Sequence, residues 1–303
     1  MARAPKQPLT QADVRALITR HGLDGHKKLI LDGLRKAVRL KPGKPVKRRL
    51  PAGASKFGGE PDLPEGVAWP EFDGRPLHFL TQLDLADLPP RWIPTADLPR
   101  KGLMSFWYDT QGDRSYGFKR DSARWRVLYS TKATQRRAFP EHDESAYDFG
   151  EPWRPFPERR VEMAPTLTLS EDAEHELMQR LWNAGGDDDE RQYRFQAQLG
   201  GRDAHGGTRM HCLLGSYLFP QADGREHAAR QELGISTGKA GYTEAAQKKV
   251  DRRKQAWRLL LLLDSDRASE WLWSDAGSLS FWIRDTDLKK RRFDRIYGEM
   301  DSA

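Results

Sequence analysis

Two aspartates lie at equivalent points of the chain, and their carboxylates are the first candidates for chemistry. Asp84 and Asp264 each follow an apolar run that ends in Leu-Asp, and Asp275 comes shortly after the second run. Two carboxylates that meet across a pseudo-twofold axis can do acid–base work or hold a metal. An aspartate at a strand end also caps the next turn by accepting backbone N–H bonds. Because the turns after both runs need caps, the sequence favours the capping role.

Clustered acidic residues at 187–190 are the second candidate, since carboxylates are the ligands that hard divalent cations prefer. The run reads Asp-Asp-Asp-Glu and lacks the regular alternation and the glycine of a calcium-binding loop. A solvated turn is therefore the favoured interpretation of this segment.

Histidine and cysteine side chains are the third candidate. His205, His211 and Cys212 are metal-ligand types, but an adjacent His-Cys without a second pair is not the spacing that encloses a tetrahedral zinc ion. Cys212 stands beside two leucines, which is typical of a buried and inert thiol. The Gly-Gly at 58–59 is followed by Glu-Pro, which does not fit a phosphate-binding loop. We therefore predict no catalytic residue, no metal site and no cofactor.

The elements that position these side chains are clearest between residues 257 and 283. Five consecutive leucines at 259–263 form an apolar run of strand length without a polar face, which predicts a strand covered on both sides. A second apolar run follows at 278–283 after a set of turn residues, which predicts an antiparallel pair. We expect this pair to form the core.

The same pattern occurs once earlier in the chain. Residues 77–84 form an apolar run ending in Leu-Asp. Ser-Phe-Trp follows it at 105–107, as Ser-Phe-Trp at 280–282 follows the second run. A segment containing Gly and Pro precedes each pair, at 57–64 and at 214–220. Three landmarks in one order predict an internal duplication with a spacing of roughly 175 to 180 residues.

Composition indicates a polar, folded protein. Hydrophobic residues make up 37% of the 303 residues and charged residues 31%, while the aromatic 10% supplies the large buried surfaces that a core needs. No apolar run approaches the ~20 residues of a membrane-spanning helix, and the N-terminus lacks the apolar centre of a secretion signal. The single cysteine fits a reducing compartment. We therefore expect a cytoplasmic protein that does not bind membranes.

Basic charge is concentrated at the N-terminus. The chain carries a net charge of +7, and residues 1–56 hold fifteen Lys and Arg against three Asp. We predict a first helix capped by Thr10 and a second, amphipathic and basic helix over residues 26–40. An acidic partner or a nucleic acid is the expected ligand of this segment. The predicted basic patch consists of Lys27, Lys28, Arg35, Lys36, Arg39, Lys47, Arg48 and Arg49.

Further helices are predicted in the second half of the chain. Ser170 can cap one of them, and two acidic residues in its first turn suit the positive end of the helix dipole. Leu177, Leu181 and Trp182 are expected to face inward from this helix. Residues 225–256 are expected to form helical pieces in a polar outer layer.

Several of these motifs together resemble the YwqG-like family of bacterial proteins of unknown function. The matching segments are Gly58 to Trp69, Gln82 to Asp84, His211 to Gln221 and Trp271 to Gly277, so the resemblance spans roughly residues 50 to 298. The chain departs from the family where Ser274 replaces the usual glycine. The resemblance implies an α+β fold with an internal repeat and, in some members, a gene neighbourhood of toxins and immunity proteins. The candidate binding residues are Asp84, Asp264, Asp275, His211, Gln221 and Trp273.

These observations combine into one expected architecture. We predict an α+β protein with two related β-rich halves from an internal duplication, sharing one body of mostly antiparallel sheet. Residues 1–50 are expected to form a basic helical N-terminal extension, and residues 51–298 the YwqG-like domain. Within that domain, the first repeat is placed at about 55–130 and the second at about 205–298.

The leading functional hypothesis is a non-enzymatic cytoplasmic protein that recognises another protein, with a toxin-neutralising immunity protein as its specific form. One alternative is a nucleic-acid-binding protein that uses the basic N-terminal arm, although few aromatic residues are interleaved there for base stacking. Another is a hydrolase that uses the aspartates shared by the two repeats. An enzymatic role is the least favoured of the three.

Overall fold

The computed structural model describes residues 9–92, 94–110, 124–141, 153–184, 188–200, 211–216, 223–236 and 243–301. Within these ranges the helices are α1 Gln11–Arg20, α2 Lys27–Gly33, α3 Glu171–Asn183, α4 Asp188–Leu199, α5 Gly224–Leu233, α6 Glu244–Lys254 and α7 Asp285–Lys289. The strands are β1 Leu34–Pro45, β2 Lys56–Phe57, β3 Asp62–Pro64, β4 Glu71–Phe72, β5 Arg75–Pro76, β6 His78–Asp84, β7 Leu103–Tyr108, β8 Trp125–Ser130, β9 Thr134–Arg136, β10 Arg159–Leu169, β11 Cys212–Leu213, β12 Trp257–Asp264, β13 Ser278–Arg284 and β14 Ile296–Asp301.

Ten of these strands form one antiparallel sheet in the order β14-β13-β12-β11-β1-β10-β2-β6-β7-β8. The strand pairs β3-β9 and β4-β5 form two small separate sheets. The α+β class, the mostly antiparallel sheet and the presence of N-terminal helices are thus confirmed. No helix in the described ranges is long and apolar enough to cross a membrane.

The large sheet curls until its two edge strands meet. Trp125 of β8 packs against Gly298 of β14, where an added Cβ would lie 2.5 Å from Cδ2 of the indole. The Trp125 ring also contacts the Tyr297 ring at a centroid distance of 5.8 Å. The sheet is therefore nearly closed, and side chains rather than a strand ladder join its edges.

The leucine-rich strand β12 is the centre of the core, as the sequence predicts. All five leucines at 259–263 are fully buried, and β12 pairs with β13 through the whole run with one register shift between Leu259 and Leu261. Helix α5 covers the outer side of this pair, and its first residue, Gly224, lies against the indole of Trp282. Both sides of the pair are therefore covered.

The predicted helix over residues 26–40 is only partly correct. Helix α2 ends at Gly33, and β1 begins at Leu34 and pairs with β10 from Leu34↔Leu169 to Pro42↔Val161. Apolar residues at 30, 34 and 38 fit a helical period, but 38 and 40 equally fit the period of a strand, and pairing with a distant partner decides between them. The segment assigned to the N-terminal extension thus supplies one of the two middle strands of the sheet.

A smaller apolar cluster holds the helices α1 to α4 against the end of β10. Thr10 caps α1 and exchanges bonds with Asp13, which places Val14, Leu17 and Ile18 in this cluster. Ser170 caps α3 as predicted, and Leu177 and Leu181 are buried. The inward placement expected for Trp182 is wrong, because this side chain is 74% exposed. Its position lies about 130° around the helix from the centre of the buried stripe.

Candidate functional site

Asp84 lies at the end of β6 and caps the turn that follows. Its Oδ1 accepts a hydrogen bond from the backbone N–H of Ala86 at 3.0 Å, while its own N–H donates to Ser55 Oγ at 2.9 Å. This is the capping arrangement that the sequence favoured for an aspartate at a strand end.

Asp264 and Asp275 have different surroundings from Asp84. Asp264 ends β12 and is buried, and its N–H donates to Nδ1 of His211 at 3.2 Å. Asp275 is exposed in the turn before β13. In the sheet order, four strands lie between β6 and β12, which carry Asp84 and Asp264.

Some of the candidate positions fall outside the described residues. Gln221, His205 and Asp187 are among them, and at 188–190 only the helical backbone of α4 is described. Among the side chains that are described, no group of three or more His, Cys, Asp and Glu is placed to hold a metal ion. Cys212 is buried in the main core, as expected.

His211 links Asp264 to an aromatic cluster. Its ring is 5% exposed and lies edge-on to Phe57 and Trp271, at centroid distances of 5.0 and 5.6 Å. Because Nδ1 accepts the Asp264 N–H bond, a neutral ring carries its proton on Nε2. That nitrogen lies 4.0 Å from Oδ2 of Asp266.

Asp266 is the hub of a polar network beside His211. Its Oδ2 accepts bonds from Arg159 Nη1 at 2.8 Å and from Ser269 Oγ at 2.5 Å, and its Oδ1 accepts from the N–H of Ala268 at 3.1 Å. Burial alone would raise the pKa of Asp266, but the bonds from Ser269 and Ala268 and the neighbouring positive charges outweigh it and lower this pKa. The carboxylate is therefore charged at neutral pH.

This network resembles a nucleophile site in residue types but not in connectivity. The Ser269 hydroxyl donates to Asp266, so the imidazole of His211 is not in position to take its proton. A lowered pKa also makes Asp266 a weak base. The arrangement is suited to fixing the loop that follows β12. Sequence reasoning did not find Arg159, Asp266 and Ser269, because Arg159 is 107 residues from Asp266 in the chain.

The loop that these residues fix is residues 265–277, here called the tryptophan loop. Ser265 Oγ donates to the Gly277 carbonyl and accepts from the Trp273 N–H, both at 2.8 Å. Asp266 and Trp271 exchange two backbone bonds of 2.9 and 3.0 Å. Hydrogen bonds of the Ser265 side chain and a pair of backbone hydrogen bonds therefore both hold the loop together.

The backbone of the tryptophan loop is strained. Glu270, Ser274 and Ala276 have positive φ values of 58°, 48° and 57°. A residue with a side chain in this region costs roughly 1–3 kcal/mol and persists only where its surroundings enforce it. Glycine is the residue that the conformation of Ser274 favours.

The side chains of the tryptophan loop alternate between buried and exposed. Trp271 and Trp273 are 1% and 3% exposed, whereas Leu272 between them is 51% exposed. Trp271 packs on Phe57 at a ring distance of 4.7 Å, and the two indoles lie 5.8 Å apart. Neither indole N–H has a hydrogen-bond partner among the described residues. The candidate residue Trp273 is therefore a core side chain that supports an exposed leucine.

A second buried network lies in the first half of the sheet. Lys56 is fully buried and donates to Glu158 Oε2 at 2.9 Å, and burial lowers its pKa despite this partner. Asp62 accepts bonds from Arg136 at 2.7 Å and from the Gln82 amide at 2.6 Å. These bonds tie Lys56 of β2 to the residue before β10, and Asp62 to β6 and β9, which is a structural role.

The predicted basic patch is spread over several surfaces. Lys28 of α2 is exposed and bonded to Asp32 at 2.5 Å, and Arg49 pairs with Glu60 at 2.9 Å. Arg35 and Lys36 are adjacent in β1, so they point to opposite faces of the sheet. The single basic helix face expected from the sequence is therefore absent from the described N-terminal residues.

Large apolar side chains are exposed on the helical layer. Trp182 at the end of α3 is 74% exposed, and Tyr193 on α4 is 45% exposed. Helices α3 and α4 pack against each other. The sequence did not predict this exposed aromatic side chain, because Trp182 was expected to face inward.

A family model described as a domain of unknown function (DUF1963) matches residues 55–302. None of the curated proteins matches the chain.

Proposed function

We propose that this chain, which belongs to the DUF1963 family of domains of unknown function, is a non-enzymatic protein that recognises another protein. The observation that carries the proposal is the 74% exposure of Trp182. Tryptophan and tyrosine are the residue types most enriched where protein interfaces concentrate their binding energy. An exposed Trp182 adds nothing to the core, so its surface is available to a partner.

The helix that carries Trp182 is well anchored, which favours a role for this side chain in recognition. Helix α3 is capped by Ser170 and anchored by the buried side chains of Leu177 and Leu181. The exposed Tyr193 lies on the neighbouring helix α4. A rigid helix pair that displays aromatic side chains loses little conformational entropy on binding.

The specific form of the proposal is a cytoplasmic, YwqG-like protein that neutralises a toxin. The motifs at Gly58 to Trp69 and Trp271 to Gly277 carry the YwqG-like part of the proposal. The toxin-related part follows from the gene neighbourhoods that this resemblance implies. The cytoplasmic part rests on the single cysteine.

We also infer that the two halves arose by duplication. Counted inward from its two edges, the sheet divides into two series of five strands. The strands β14, β13, β12, β11 and β1 then correspond, in that order, to β8, β7, β6, β2 and β10. Matching register shifts between Phe79 and Thr81 and between Leu259 and Leu261 support this correspondence.

Local bonds support the same correspondence. Trp107 donates its indole N–H to Ser105 at 2.9 Å, and Trp282 donates to Ser280 at the same distance. The N–H of Asp84 bonds to Ser55, and the N–H of Asp264 bonds to His211. Ser55 and His211 would then be counterparts that diverged.

The test is capture of a partner from the native cell with the full-length protein, followed by direct binding of the purified partner. We expect Trp182→Ala to weaken binding roughly thirtyfold or more, as for a central interface tryptophan, without changing the melting temperature. Leu233→Ala is the matched control, since Leu233 is 40% exposed on α5.

Two results would contradict the proposal. One is a partner that binds wild type and Trp182→Ala equally well. The other is capture that nuclease treatment abolishes, because it would favour the nucleic-acid alternative and the basic N-terminal residues. Binding of that kind weakens steeply as salt rises.

A further inference from the structure

Basic residues are concentrated in two segments of the second half of the chain, 248–258 and 284–295. Together these segments contain twelve Lys and Arg against four Asp. The structure brings them together, because Arg253 of the first segment and Arg284 of the second both donate to Oε1 of Glu232. The two segments therefore meet at one carboxylate and form one surface.

Half of these basic side chains have a carboxylate partner, and the other half do not. Lys248, for example, pairs with Glu244 on α6, and Arg292 pairs with Asp294 at 2.8 Å. Six others are exposed and form no ion pair with the residues that the structure describes. These six are called the C-terminal basic surface and are Lys249, Arg252, Lys289, Lys290, Arg291 and Arg295.

The helix dipole explains only part of this surface. Basic residues in the last turn of a helix stabilise it, which accounts for Arg252 on α6 and Lys289 on α7. The explanation does not extend to Lys290, Arg291 and Arg295, which lie beyond the last residue of α7. Like charges that no carboxylate neutralises repel one another, and a bound polyanion would remove this repulsion.

The backbone after α7 holds its basic residues in a fixed arrangement. The N–H of Arg291 donates to the carbonyl of Leu288 at 3.0 Å, and the next N–H, that of Arg292, donates to the carbonyl of Asp287 at 2.8 Å. These two bonds close the helix end and place Arg291 at a φ of 56°, which glycine adopts with less strain. An arginine therefore occupies a position where a purely structural role favours glycine.

The side chains of the surface favour a nucleic acid over other polyanions. The segments 248–258 and 284–295, which the structure describes completely, expose no large apolar side chain, because Val250, Trp257 and Phe293 are among the buried ones. Protein interfaces rely on aromatic and apolar anchors, and helices that lie on membranes insert an apolar face. Contact through charge alone is typical of binding to a phosphate backbone. Without an exposed aromatic ring to stack on bases, the surface fits a duplex better than a single strand.

We propose that the C-terminal basic surface binds the phosphate backbone of double-stranded nucleic acid without reading its sequence. This inference goes beyond the proposed function, because it concerns another ligand and other elements than the helix pair that displays Trp182. It also differs from nucleic-acid binding by the N-terminal arm, whose basic residues are spread over several surfaces.

The test measures the Kd of the full-length protein for a labelled DNA duplex of about 20 base pairs at several salt concentrations. Each contact between a lysine or arginine and a phosphate contributes about 1 to the slope of log Kd against log salt concentration. The variant Lys289→Gln/Lys290→Gln/Arg295→Gln should therefore lower this slope by about 3 and weaken binding at ~0.05 M salt at least about tenfold. It should melt near the wild-type temperature, because the three side chains are exposed.

A charge-matched control removes three basic residues from the N-terminal segment instead. Lys44→Gln/Lys47→Gln/Arg48→Gln changes three exposed side chains that form no ion pair with the described residues, and it lowers the net charge by the same amount. Its slope should equal that of wild type, and its Kd should stay within about threefold. Trp182→Ala should also bind the duplex like wild type, so this proposal and the proposed function can fail separately.

Three results would overturn the proposal. One is an equal effect of the two triple variants, because net charge rather than this surface would then govern binding. Another is tighter binding of a single strand of the same length, which would contradict the choice of a duplex. The third is a protein that sediments with vesicles of phosphatidylcholine and phosphatidylserine but does not bind the duplex at ~0.05 M salt, which would make the surface a membrane contact.

Discussion

At the scale of single residues, Glu171 shows the cost of burying a charged side chain. It lies in the first turn of α3, with 17% of its side chain exposed and Arg225 Nη1 at 3.9 Å. Burial raises the pKa of Glu171 to about 7, and the attraction of Arg225 only partly opposes this rise. The folded protein therefore binds this proton more tightly than the unfolded chain does.

The first prediction concerns the pH dependence that follows. With a folded pKa above the unfolded value, Glu171 makes the protein less stable as pH rises from 4.5 to about 7. We expect Glu171→Gln to reduce the fall in the free energy of unfolding between these pH values. At pH 8 the substitution should raise the free energy of unfolding by on the order of 1–3 kcal/mol. Urea unfolding at pH 5 and pH 8 measures both effects. Equal slopes in wild type and variant would mean that Glu171 is ionised throughout.

At the scale of elements, strand β1 makes the N-terminal segment part of the main sheet. The sequence predicted that residues 1–50 form an extension outside the main domain. Because β1 lies between β10 and β11, deletion of residues 1–45 would remove a middle strand of the sheet. It would also take Val38 and Leu40 out of the main core.

We therefore expect a chain starting at residue 46 to lose its cooperative thermal transition. A chain starting at residue 9 keeps every described element and should melt like the full-length protein. Circular dichroism during heating distinguishes the two. A folded, cooperatively melting chain without β1 would show that the strand is dispensable.

The sequence correctly predicted the elements whose residue pattern is contained in one short segment of the chain. The leucine run of β12, the paired Ser-Phe-Trp strands and the Ser170 cap are of this kind. It failed at residues 34–40, where the apolar spacing fits a helix and a strand equally and only the distant strand β10 selects one. It also missed the hub at Asp266, because Arg159 and His211 reach it from separate parts of the chain.

At the scale of the whole molecule, closure of the sheet depends on one small residue. Gly298 leaves room for the indole of Trp125 where β14 meets β8. Gly298→Ala places a Cβ 2.5 Å from that ring, so we expect a loss of about 1–3 kcal/mol in the free energy of unfolding.

A double-mutant cycle checks the cause of that loss. Gly298→Ala should cost clearly less in a Trp125→Leu background, because the clashing ring is gone. Denaturant unfolding of the four proteins gives the coupling energy. The same cost in both backgrounds would place the effect of Gly298 elsewhere than in its contact with Trp125.

The position of β1 also has a consequence for synthesis on the ribosome. This strand ends at residue 45, and its partner β10 begins only at residue 159. At translation rates of ~5–20 residues per second, the emerging strand waits on the order of ten seconds for its neighbour. Its apolar face stays uncovered during that interval, and the sheet can assemble only after most of the chain has left the exit tunnel. Protection of nascent chains by chaperones therefore matters more for this topology than for one built from neighbouring hairpins.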